Sequence, residues 1–69
     1  MPLIMAEIGV IQFIKKINGK GDTKQFLKNL GFQEGNEIII ISRIHDNIIV
    51  KIKETRVAID KSIANKIIV

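Results

Sequence analysis

DTKQFLKNLGFQEGN, Asp22 to Asn36, is the one stretch in which a helix start, a helix stop and the turn after it can all be read from residue chemistry. Asp22 offers a carboxylate to the free backbone N–H groups of a first helical turn, and Gln25 three places on completes a capping box. Phe26, Leu27 and Leu30 then fall on one apolar stripe at helical spacing, which leaves Lys24, Gln25, Lys28 and Asn29 to solvent. Gly31 supplies a left-handed C′ position, and Phe32 stands where a Schellman motif sets an apolar side chain against Leu27. Gln33-Glu34-Gly35-Asn36 reads as a type II turn with Gly35 at the position that needs positive φ, launching the run Ile38 to Ile41. The stretch therefore predicts one short α-helix, at about residues 22–30, that hands the chain into a strand.

Outward from this helix the chain reads as strand. Val10 to Ile17 is expected as one curved strand with Gln12, Lys15 and Lys16 outward, preceded by a partly extended Met1 to Ala6 and a turn at Glu7-Ile8-Gly9. Asn18-Gly19-Lys20-Gly21 breaks it and reads as a loop, because a phosphate-binding P-loop needs a different glycine–lysine spacing. Glu37 to Ile44, with four consecutive Ile, implies burial on both faces or a patch left for a partner. His45-Asp46-Asn47 is a tight turn, with Asp46 and Asn47 the residues that tolerate left-handed backbone. Asn47 to Lys53 alternates, with Ile48, Val50 and Ile52 inward. Glu54-Thr55-Arg56 turns the chain into a short strand Val57 to Ile59. A helical turn near residues 60–64 capped by Asp60 follows, and Lys66 to Val69 closes the sheet. The fold class is mainly β: a small SH3-like barrel of about five strands.

A chain of 69 residues is a single domain, 1–69, and folding one this small buries only about 60% of the surface its unfolded chain exposes. Ile and Val in bulk, stiff at χ1 and suited to strands, supply the core. With no Cys, disulfide frames and thiolate metal sites are excluded. Met1 to Ala6 has no basic n-region, and its apolar run is too short for a signal segment or a membrane span, so the expected location is cytoplasmic. A net charge of +4 permits attraction to anionic surfaces but is modest for a nucleic-acid binder.

Leu27, Leu30-Gly31-Phe32, Gly35 and the Ile-rich run that follows resemble the L-x-x-L-G-[hydrophobic]-x-x-G-x-x-[hydrophobic] signature of FeoA, the ferrous iron transport protein A family. Gly9, Ile17 with Gly19, Val57-Ala58-Ile59, Ala64 and the ending Ile67-Ile68-Val69 agree with the same pattern, so the resemblance covers nearly the whole chain. Glu34 stands where the family usually carries Pro, and Arg43 to Asn47 is shorter than the family's loop between the two central strands. The resemblance implies an SH3-like domain with no enzymatic activity. It also implies a cytoplasmic accessory of ferrous iron uptake that binds or regulates a FeoB-type membrane transporter at its cytoplasmic part, touching the membrane only through that partner. The alternatives are an SH3-like accessory domain of a metal-dependent repressor and a small nucleic-acid-binding barrel.

The residues offer little for catalysis. His45 stands in a turn with neither a Ser nucleophile nor a second His beside it, the carboxylates are scattered, and no catalytic residue is assigned. His45 and Asp46 are the one adjacent pair of ligand-type side chains, on a tip that leaves most coordination positions to water. At most a weak site for Fe2+ or another divalent ion is expected there, and no cofactor is required. No nucleic acid is expected either, because stacking platforms need exposed aromatics, and Phe13, Phe26 and Phe32 all sit in apolar patterns that read as core. The same lack argues against proline-rich peptides. The expected contact surface is the wet flank of the helix and the turn after it, Lys24, Lys28, Phe32, Gln33 and Glu34, with Gly31 and Gly35 as structural turn residues.

Overall fold

β-Branched residues at alternating positions build the centre of the molecule. In β3 (Glu37–Ile44) and β4 (Asn47–Ile52), Ile38, Ile40, Ile48, Val50 and Ile52 are all at most 1% exposed, so one face of this hairpin is the floor of the core. The computed structural model describes residues 1–69. β1 (Ile11–Phe13), β3, β4 and β5 (Thr55–Asp60) form a four-stranded antiparallel sheet in the order β1-β3-β4-β5, and β2 (Lys16–Ile17) pairs with β6 (Ile67–Ile68) in a second sheet. The fold is the expected SH3-like one, with six strands. A β-bulge between Ile40 and Ser42 bends β3, which lets so short a sheet curl toward closure.

The single curved strand expected over Val10 to Ile17 is two strands. Between them Ile14 N–H donates to Asn36 O at 3.0 Å and Lys15 N–H donates to Ile68 O at 2.7 Å, so the chain leaves one sheet and joins the other across these two residues. The facing of β1 is also reversed. Ile11 and Phe13 are 57% and 55% exposed while Gln12 is half-buried, because pairing with β3 (Ile11 with Ile39, Phe13 with Glu37) sets their parity with the outer face. The N-terminus is a 3₁₀ turn, Leu3–Met5, where partly extended chain was expected. It is tied in by a Pro2–Ile68 bridge, by Val69 N–H donating to Met1 O at 2.7 Å, and by Arg43 Nη2 donating to Ala6 O at 2.6 Å.

α1 spans Gly21–Asn29, and its start differs from the reading that put the cap at Asp22. Lys24 N–H donates to Lys20 O at 3.0 Å, which closes the first turn on Lys20, with no side-chain cap; Asp22 lies inside that turn, where its charge still opposes the helix dipole. The capping box is absent too, since Gln25 Nε2 instead donates to Asn29 Oδ1 one turn on. The stop is as expected: Phe32 N–H donates to Leu27 O at 2.9 Å and Gly31 N–H to Lys28 O at 3.0 Å, the two bonds of a Schellman motif, with Gly31 at φ 100°. Leu27 and Phe32 are fully buried, but Phe26 is 57% exposed, so the buried stripe is Leu27 with a half-buried Leu30. Asn36 N–H donates to Gln33 O at 3.1 Å around Gly35 at φ 88°, the expected turn.

At the far end, Asp60 accepts from Ile63 N–H at 2.8 Å and caps α2 (Lys61–Ala64) as expected. The left-handed residue of the β3–β4 turn is His45, at φ 53°, and not Asp46 or Asn47, because the ladder pairs Ile44 with Asn47 and leaves His45 first in a two-residue loop. β5 is longer than the expected Val57 to Ile59, pairing with β4 from Thr55 to Asp60, which confines the second turn to Lys53 and Glu54. Fourteen buried residues, all apolar, form one core, and each fully buried Ile, Leu or Phe contributes about 1.5–3 kcal/mol.

Candidate functional site

The Schellman stop and the Gly35 turn fold the chain back along the flank of α1. A shallow cleft of about 380 Å³ results, lined by Lys24 and Lys28 from the helix, Gln33 and Glu34 from the turn, Ile17 from β2, and Phe32. The structure therefore brings together the five residues expected as a contact surface. It also corrects one of them. Phe32 is 0% exposed, pinned against Leu27 by the Schellman bonds, so it floors the cleft and offers no free surface; half-buried Ile17, which sequence reasoning did not include, supplies the accessible apolar contact. The signal for Ile17 was its place at the end of a strand whose outward turn could not be read from periodicity.

The electrostatics of this flank are unbalanced. Lys20, Lys24 and Lys28 recur every four residues along one side of α1, where like charges repel by a few tenths of a kcal/mol per pair. The only ion pair in the protein is Lys61 with Asp46 at 3.7 Å, so none of these three lysines has a carboxylate partner. An exposed, unpaired lysine row beside a small apolar and amide-lined cleft can attract an acidic protein surface and then seat it.

The other candidates are dispersed. His45 and Asp46 are adjacent at the exposed β3–β4 tip, where Asp46 faces Lys61, and no group of three His, Asp or Glu side chains gathers anywhere in the chain. Phe13 and Phe26, expected in the core, are exposed on β1 and on α1 respectively, because the aliphatic side chains of β3 and β4 already fill the interior. No helix is long and apolar enough to cross a membrane.

The FeoA domain family profile matches residues 1–69. Among solved structures, the chain is 25% identical to an iron uptake regulatory protein (FeoA), covering 97% of this chain and 91% of that one with a TM-score of 0.88. It is 30% identical to iron(II) transport protein A from Clostridium thermocellum, covering 97% of this chain and 43% of that one with a TM-score of 0.90. The fold also matches a zinc-complexed FeoA from Stenotrophomonas maltophilia described as a procaryotic SH3 domain protein, at 19% identity over 99% of this chain and 87% of that one, TM-score 0.85. A manganese-dependent transcriptional repressor shares the fold at 16% identity and a TM-score of 0.87, over 97% of this chain and 39% of its own. No functionally curated protein matches. A profile match over the full 69 residues, on a chain whose Leu30-Gly31-Phe32 stop and Gly35 turn take the conformations that signature requires, makes this protein a member of the FeoA family.

Proposed function

We propose that this protein serves ferrous iron uptake as a cytoplasmic binding module, docking on the cytoplasmic, nucleotide-hydrolysing part of a FeoB-type transporter through the α1 flank. It acts by binding and reaches the membrane only through that partner. Family membership supports the accessory role in ferrous iron transport, and one observation supports the docking face: Lys24 and Lys28 stand unpaired at the rim of a cleft that also holds Ile17, Gln33 and Glu34. The partner surface that fits is acidic, with a small apolar contact at its centre.

The test is the double change Lys24→Glu with Lys28→Glu. Both side chains are exposed and make no ion pair, so stability is expected to stay within about 0.5 kcal/mol of wild type. Affinity for the transporter's isolated cytoplasmic part is expected to fall by about tenfold or more, with the larger loss at low salt, where charge steering is least screened. Calorimetric titration at two ionic strengths reads both effects. Undiminished binding by the folded variant would move the interface to the Ile38 to Ile52 hairpin.

A further inference from the structure

The outer face of the four-stranded sheet carries a second surface that the α1 flank does not explain. β1 is an edge strand, hydrogen-bonded only to β3, and it and the residues just before it expose apolar side chains: Ile8 is 50%, Val10 42%, Ile11 57% and Phe13 55% exposed. An exposed apolar edge of this kind invites strand pairing unless something covers it. Ile11 lies beside Ile39 in the ladder, and these two face a groove of about 450 Å³ whose other walls carry Glu37, Lys51, Lys53 and Glu54.

The charges decide what fits there. The protein as a whole carries +4, so two copies repel in most orientations. This groove holds two Lys and two Glu, is locally neutral, and none of the four forms an ion pair within the chain. A patch that presents both signs around an apolar centre can pair with itself across a two-fold axis, where the same surface faces itself and each Lys can meet a Glu of the other copy. A strongly acidic partner would meet Glu37 and Glu54 here beside only two lysines, whereas the α1 flank sets the single Glu34 against the Lys20, Lys24 and Lys28 row.

We propose that a second copy of this chain covers the β1 edge, forming an isologous dimer with Ile11 and Phe13 at its centre and the Glu37, Glu54, Lys51 and Lys53 charges paired across the two-fold axis. Sedimentation equilibrium of the full chain reads it directly. Wild type is expected to pass from monomer to dimer with rising concentration. Ile11→Gln with Phe13→Gln, at positions more than half exposed, is expected to keep the wild-type circular dichroism and raise the dimer Kd by about tenfold or more. Lys51→Glu with Lys53→Glu makes the groove acidic and Glu37→Lys with Glu54→Lys makes it basic, so each is expected to be monomeric alone and the two to associate when mixed. That rescue keeps the test decisive if the apolar variant fails to fold. A wild type monomeric up to about millimolar concentration, unchanged association of the folded Ile11→Gln, Phe13→Gln variant, or a mixture of charge variants that stays monomeric would each overturn the proposal.

Discussion

Gly35 carries the turn that aims β3, and its requirement is purely conformational. A Cβ placed on it meets nothing within 4 Å, yet its φ of 88° lies in the left-handed region that L side chains avoid. Gly35→Val is therefore expected to destabilise the protein by about 1–2 kcal/mol through backbone strain alone, and Gly35→Asn by less, because Asn tolerates that region. Urea midpoints of the two variants check it, and equal losses would show that something other than φ is being disturbed. Gly31 and Gly35 were legible in the sequence because a left-handed φ is a local demand that glycine meets wherever the fold puts it. Phe13 and Phe26 were not, because burial is settled between elements: the interior was already filled by Ile38, Ile40, Ile48, Val50 and Ile52. His45 was missed as the left-handed residue for a similar reason, since the ladder pairing of Ile44 with Asn47, and not local propensity, decides which residue turns first.

At the scale of elements, the end of α1 was legible and its beginning was displaced. The Schellman bonds involve only residues within five positions of one another, whereas the start depends on where the loop from β2 delivers the chain, and it delivers Lys20 in extended conformation with φ −81° and ψ 166°. Lys20 is a poor N-cap. It offers no acceptor to the first-turn N–H groups and stands one turn before Lys24, a like charge, while Asp60 at the start of α2 has the cap bond that α1 lacks. Lys20→Asn is expected to stabilise by about 1 kcal/mol, which for a domain of this size raises Tm by roughly 4–8 °C. Thermal unfolding followed by circular dichroism measures it, and an unchanged or lowered Tm would mean that the helix does not start on Lys20. The break between β1 and β2 was likewise invisible, because apolar residues at Val10, Ile11, Phe13, Ile14 and Ile17 fit either facing, and only registry with β3 and β6 chooses.

For the whole molecule, the barrel closes where its two ends meet. Met1 donates its amino group to Val69 O at 2.7 Å, Val69 N–H returns the bond to Met1 O, and Leu3 and Val69 are buried beside Ala64 and Ile67. Hydropathy showed that both ends were apolar, but which strand each would meet follows from a closure that no local pattern encodes. The same whole-chain view bears on iron. The carboxylates number seven and there is one His, but Asp60 is committed to a helix cap, Asp46 faces Lys61, and nowhere do three His, Asp or Glu side chains converge. His45 and Asp46 alone would leave most of a ferrous ion's coordination to water. Anaerobic titration of Fe2+ into the isolated protein is therefore expected to reveal no site tighter than about micromolar, and His45→Ala is expected to change the titration little. A stoichiometric, tighter site that disappears in His45→Ala would show that the ion itself assembles a centre at the hairpin tip. The protein would then bind ferrous iron directly, a property beyond the docking role proposed for it.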